Sequence, residues 1–291
     1  MGPTLTAATL WIATAVTWGV PGGLAVGIDP ADGPRGLIRV YAPFLGHGPG
    51  RVLNFTAVEP VVNGKRGYSE LESSAIDGKP GLVFTASATV GREVLRVRFS
   101  GERFGNGARS VIEVRLRRAR PREVEIAVNA APGSARTSSC ILTATMGNFA
   151  RLRRIRLRDG VAVAGSLWTG SGPDPNGFFP HRKWPADRLP VSQGRVELAA
   201  APDETDPAAA TYDGSVDPWW RYTGIPARQV WRTRAVPGLV ARVNARSAYY
   251  GTNAPIPGGL AFENVEFEAP FRPGQVFTFS VEPLVHDGAP R

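Results

Sequence analysis

The hydrophobic positions along this chain recur mostly with a period of two. Leu95, Val97 and Phe99 alternate with Arg96 and Arg98. Ile112, Val114 and Leu116 alternate with Glu113, Arg115 and Arg117, and Val124, Ile126 and Val128 with Glu123 and Glu125. Such alternation predicts strands with one buried face. Shorter apolar runs at residues 37–41, 52–62, 82–84, 141–145, 161–167, 196–200, 236–243, 259–267 and 276–281 predict further strands. Turn dipeptides fall between them: Asn63-Gly64, Asp77-Gly78, Asn106-Gly107, Asp159-Gly160, Asp213-Gly214 and Pro273-Gly274. No segment carries four turns of helical periodicity. The best short helical candidate is residues 203–211, which Pro207 weakens. About a dozen strands joined by short turns predict an all-β fold, a large antiparallel β-sandwich.

Composition agrees. The 34 glycines and 26 prolines among 291 residues are aperiodic, which excludes collagen and argues against a helical bundle. Hydrophobic residues make up 43%, enough to bury a core. No linker divides the body, so residues 26–291 read as one domain. The two least strand-like tracts are residues 169–189 and 202–223. Both contain aromatic residues, which marks them as ordered loops, and loops of that length tend to carry function. The expectation is that they cover one end of the sandwich together.

The amino terminus has its own character. Residues 1–28 carry no charged side chain. Residues 10–20 form an apolar run of about half the length that a membrane span needs. Pro21-Gly22-Gly23 follows, with small residues at Gly23 and Ala25. This predicts a secretory signal peptide over residues 1–25, a secreted or envelope location, and no membrane span once it is removed. No Lys or Arg precedes the apolar run. Cys140 is the one cysteine, so no internal disulfide forms, and its apolar setting predicts a buried thiol. A secreted chain without disulfides suits a bacterial exterior.

The net charge of +9 raises the question of a polyanionic partner. Lys65, Lys79 and Lys183 are the three lysines, so Arg supplies the rest of the 34 basic side chains. Much of the Arg alternates with Glu on predicted strands, the pattern of a solvated outer face with cross-strand ion pairs. Nucleic acid is therefore not expected, and an acidic glycan is the more natural polyanion.

There is no Gly-x-Ser-x-Gly, phosphate loop, dinucleotide fingerprint or His-Glu-x-x-His. No cofactor and no metal site are expected. The acidic stretch at residues 203–206 lacks a calcium-loop spacing. Of the three histidines, His47 and His286 lie in Gly-rich or terminal tracts. His181 lies in an aromatic and cationic loop and is the candidate general acid. Glu263 falls on a strand face otherwise formed by Ala261 and Val265, and a carboxylate there needs a partner or a raised pKa. It is the candidate base. Glu59 closes another apolar run and is a candidate neighbour of Glu263. Trp219, Trp220, Tyr222 and Tyr250 are candidate sugar platforms, with Arg151, Arg221 and Asn148 as polar contacts.

The segment Gly259-Leu260-Ala261-Phe262-Glu263, followed by Phe271-Arg272-Pro273-Gly274-Gln275-Val276-Phe277, resembles the carboxy-terminal part of galactose-mutarotase-like proteins. The resemblance covers about a tenth of the chain. It implies a β-supersandwich, with a jelly-roll-like sandwich as the alternative, and a base at Glu263. The His-Tyr-Phe-Asn setting of that family's catalytic His has no counterpart here, where Met146-Gly147-Asn148-Phe149 stands at a comparable strand end. The function expected is a secreted carbohydrate-active protein working by acid/base chemistry on a sugar or an acidic polysaccharide. The alternative is a non-catalytic glycan-binding envelope module.

Overall fold

In a computed structural model the chain is described at residues 10–12, 15–28, 38–48, 50–69, 75–76, 79–80, 86–91 and 93–284. The fold is all-β, as expected: two large antiparallel sheets packed as a sandwich. The first sheet runs β1 (Leu10–Ile12), β2 (Ala15–Gly19), β3 (Ala25–Ile28), β4 (Ile38–Tyr41), β5 (Val52–Val62), β13 (Ser139–Thr145), β21 (Ala261–Pro270), β20 (Val240–Arg246) and β16 (Arg182–Pro185). The short β6 (Lys65–Arg66) pairs with the end of β5. The second sheet runs β15 (Gly160–Val163), β14 (Leu152–Leu157), β18 (Arg195–Pro202), β19 (Ala227–Arg234), β22 (Gln275–Pro283), β12 (Arg120–Ala130), β11 (Arg109–Arg117), β10 (Val94–Arg103) and β9 (Ala86–Val90). The short β17 (Val191–Ser192) pairs with β18, and β7 (Ala75–Ile76) with β8 (Lys79–Pro80). Among the described residues the one α-helix is the single turn α1 (Ala164–Leu167). The run at residues 82–84, the turn Asp77-Gly78 and His286 lie outside the described residues.

The three alternating segments pair with one another in the register their patterns demand. Leu95, Val97 and Phe99 sit opposite Leu116, Val114 and Ile112. Those in turn face Val124, Ile126 and Val128. All the apolar positions therefore fall on one face, where a one-residue slip would expose them. The opposite face carries the expected ladder: Arg117 donates to Glu125 at 2.7 and 3.0 Å, and Arg115 pairs with Glu113 at 2.5 Å.

β5 is buried along its whole length; one face meets the core, and on the other Arg39 lies over Phe55 and Arg66 binds Glu59. Asn54 donates across the sandwich to Gln229 at 2.9 Å, and the Trp231 indole N–H donates to the Val265 carbonyl at 3.0 Å. These two bonds tie the centres of the sheets together. Cys140 is buried, as expected, and burial pushes its thiol up to about 12.

The amino-terminal strands join the first sheet through β3. Trp18, Leu24 and Val26 belong to the core, and the Leu24 N–H donates to the Pro121 carbonyl at 2.7 Å. Gly23 sits so close to that strand that a Cβ would lie 2.1 Å from the same carbonyl oxygen. Among the described residues no helix is long and apolar enough to cross a membrane.

Candidate functional site

The outer face of the first sheet holds a groove of about 1240 Å³. Its floor is formed by β5, β13, β21 and β20. Its roof is a strap, residues 168–181, which leaves α1 and crosses back to enter β16. Three contacts fasten the strap. The Trp168 indole N–H donates to the Pro180 carbonyl at 2.7 Å, and the buried ring packs against Phe179 and Phe262. The Phe179 N–H reaches the Ala245 carbonyl at 2.9 Å. Arg246 donates through Nη1 to the Asn176 carbonyl at 2.7 Å. Within the strap, Asp174 Oδ1 accepts from the N–H groups of Asn176 and Phe178, each at 2.9 Å, which closes the turn.

Cross-strand register decides what the floor presents. Thr143 on β13 sits opposite Ala57 on β5 and Glu266 on β21, and Glu266 sits opposite Arg242 on β20. One row along, Glu59 faces Ile141. Glu59 and Glu266 converge on Arg66. Its Nε donates to Glu59 at 2.7 Å, its Nη2 contacts Glu59 more closely, and its Nη groups reach Glu266 at 2.6 and 3.3 Å. Thr143 Oγ1 lies 3.2 Å from Glu59 and 3.3 Å from Glu266. Two buried carboxylates thus share one guanidinium and one hydroxyl. His181 stands beside them on the wall, its Nε2 3.4 Å from Glu266 Oε2 and its side chain a quarter exposed.

The surroundings drive the two carboxyls apart. Burial raises the Glu59 pKa, and the neighbouring Glu266 charge adds to the rise against the pull of Arg66. Burial also works to raise Glu266, but Arg66 and His181 together outweigh it and hold the group at about 2. The rim is aromatic. Tyr68 is well exposed and lies under the Arg66 guanidinium at 4.8 Å. Phe178 and Tyr250 face each other at 6.4 Å, with Arg246 over their rings at 4.6 and 5.3 Å.

Of the residues singled out in the sequence, Glu59, His181 and Tyr250 line this groove. The others do not meet there. Glu263 is buried on β21 and does not line the groove; it lies at a register irregularity where three residue steps of β21 span two of β20, so simple alternation does not set its face. Glu59 is in the groove, but its partner is Glu266 rather than Glu263. Arg151 is fully buried and bound to Glu204 at 2.5–2.9 Å, to the Pro207 carbonyl at 2.8 Å and to the Tyr212 hydroxyl. It fastens the 202–223 tract instead of contacting a ligand, and Arg153 binds Asp203 and Glu204 beside it. Asn148 is buried in the turn after β13, where its carbonyl accepts from Arg151 N–H.

Trp220 stacks on Tyr249 at 4.9 Å, and buried Tyr222 stacks on His47 at 5.4 Å. Arg221 donates to the Val216 carbonyl at 3.1 Å. Trp219 is exposed, with Arg51 at 5.3 Å from its ring, but does not line the groove. The two irregular tracts therefore serve different places: 169–189 roofs the groove and 202–223 seals another part of the molecule. Among the described residues no cluster of His, Cys, Asp or Glu has the arrangement of a metal site.

Glu266 and Arg66 escaped the sequence reading. The signal for Glu266 was the polar series Asn264, Glu266, Glu268 alternating with Val265, Phe267 and Ala269. No family model, curated protein or solved structure matches this chain.

Proposed function

We propose that the protein handles carbohydrate in this groove, binding a sugar and carrying out acid/base chemistry on it. The observation that carries the reading is the Glu59–Arg66–Glu266 cluster with His181 beside it, at the foot of a groove rimmed by aromatic rings. A pyranose has apolar faces, which suit Tyr68 and Tyr250, and a hydroxyl rim, which needs a polar floor. His181 takes the proton-carrying role, since it lines the groove next to the buried carboxylates with its side chain a quarter exposed. Glu266, 3.4 Å from its Nε2, is the carboxylate beside it, in the place expected of Glu263. Two large antiparallel sheets support the finer reading of the fold as a supersandwich of the galactose-mutarotase type. Secretion to the cell exterior or envelope belongs to the same proposal, because glycans are abundant there. Neither cofactor nor nucleic acid enters it.

The alternative is binding without turnover. It is favoured by the near-complete burial of both carboxylates and their engagement by Arg66, the arrangement of a structural ion cluster. A glycan panel with product detection separates the two. On the catalytic reading a product forms, and His181→Asn abolishes it while binding persists. Binding without product, or product undiminished in His181→Asn, overturns the acid/base role.

A further inference from the structure

We propose that the sugar held in the groove is anionic, with carboxylate or sulfate groups facing the floor beside Asn244 and Asn264. This rests on the reading of the groove as a carbohydrate site and names the chemistry of its occupant. The basis is which hydrogen-bonding groups of the floor are already occupied. The side-chain acceptors of the floor strands are taken, although Asp174 on the roof keeps its Oδ2 unengaged among the described residues. Glu59 accepts from the Ser69 N–H at 2.9 Å and from Arg66. Glu266 accepts from Arg66 on both oxygens. Asn264 Oδ1 accepts from Thr145 Oγ1 at 2.7 Å, and Asn244 Oδ1 accepts from the Asn264 N–H at 2.9 Å.

Those last two bonds orient both amides. They leave the two Nδ2 groups as donors on the lining of the groove, with no acceptor among the described residues. The buried Ser69 hydroxyl on the same lining, able to donate or accept, has no hydrogen-bond partner among the described residues. Arg246 adds a positive charge to the wall, held in place by the carbonyls of Asn176 and Ala248. A neutral pyranose brings hydroxyls that must both donate and accept, whereas beside Asn244 and Asn264 the floor offers two free amide donors and engaged acceptors. A carboxylate or sulfate brings acceptors alone and pairs with donors more strongly because it is charged.

The test is calorimetry on the full chain at about 0.15 M salt, where exposed charges more than a Debye length apart are screened. Two matched pairs are used: an oligogalacturonate against its carboxyl-reduced form, and a sulfated dextran oligosaccharide against plain dextran. One charged member is expected to bind at least about tenfold tighter than its neutral twin, the scale of one charge-assisted hydrogen bond. Which pair shows the gap distinguishes carboxylate from sulfate. Asn264→Asp keeps the Thr145 acceptor and replaces the donor with a negative charge. It is expected to lose roughly tenfold to a hundredfold in affinity for the charged member. Asn264→Ser, which removes the donor without adding charge, is the second variant, and thermal melts check that each is folded. Equal binding within both pairs overturns the anionic inference and leaves the sugar site standing. No binding to any of the four overturns both. Charged binding that ignores Asn264 but falls in Arg156→Ala, on the exposed side of β14, places the polyanion on the Arg face and also overturns the inference.

Discussion

At the scale of single residues, the molecule's most consequential charge is Arg66. Its side chain is nine-tenths buried between two carboxylates that are more buried still. Arg66→Met would leave both charges without their cation, and breaking a buried pair in this way costs about 3–5 kcal/mol. Urea unfolding at neutral pH is expected to show a loss of that size. By contrast, Arg117→Ala on the exposed ladder is expected to cost only about 0–1 kcal/mol. The same cluster sets a pH dependence. Glu266 is held at about 2, below its ordinary value of 4.5. Its contribution to stability is therefore complete above about pH 4.5 and is lost as the pH falls from there toward 2. Glu59, which burial shifts upward, has the opposite sign, so its contribution weakens rather than grows as the pH rises. Glu266→Gln should flatten the decline in urea midpoint between pH 4.5 and 3 relative to the parent chain; an unchanged slope would place the acid sensitivity elsewhere. The sequence pointed to Glu59 because it ends an apolar run. It could not supply the partner, since Glu263 and Glu266 lie on one strand and only the cross-strand register decides which of them meets Thr143.

Among the elements, legibility followed locality. β10, β11 and β12 are neighbours in sequence joined by short connections, so alternation alone fixed their faces. β5 was harder. It is buried on both faces, and a fully buried strand loses the alternation by which strands are recognised. Alternation along β21 breaks beside Glu263, where Phe262 and Val265 both turn to the core across a register shift against Val243 and Ala245 of β20, and that β13 and β20 are its neighbours could not be read at all. The strap was visible as an irregular tract, but its position over the first sheet comes from contacts with residues far along the chain. One of those contacts constrains a glycine. Gly177 has φ of +81°, and a Cβ there would lie 2.9 Å from Arg246 Nη2. Gly177→Ala therefore forces an unfavourable backbone conformation and pushes the guanidinium away from Phe178 and Tyr250. Stability should fall by about 1–2 kcal/mol, while affinity for a groove ligand falls severalfold. Calorimetry alongside a thermal melt checks both. A variant with the same melt deficit but full affinity would show that the strap does not shape the groove.

For the whole molecule, the sheet order explains what single segments could not reveal. β5, β13 and β21 form the centre of the first sheet although more than a hundred residues separate β13 from β21. The groove is a product of that non-local pairing. The amino terminus poses the complementary question, because a segment that reads as a signal peptide also supplies β1 and β2. Trp18 and Leu24 are buried, and Leu24 bonds to Pro121 across to the second sheet. Cleavage after Ala25 would remove both side chains and leave β3 as the edge of the sheet. Burying a large apolar side chain contributes about 1.5–3 kcal/mol, so a chain starting at Val26 should melt below the full-length protein by an amount that differential scanning calorimetry resolves. Intact-mass measurement on protein recovered from the cell exterior then decides which form operates. On the secretion proposal the mass is short by residues 1–25, and the sandwich functions with β3 as its edge. A full-length mass from the same fraction would instead make Trp18 and Leu24 part of the working core, and the apolar run at residues 10–20 would be strand sequence rather than a cleaved leader.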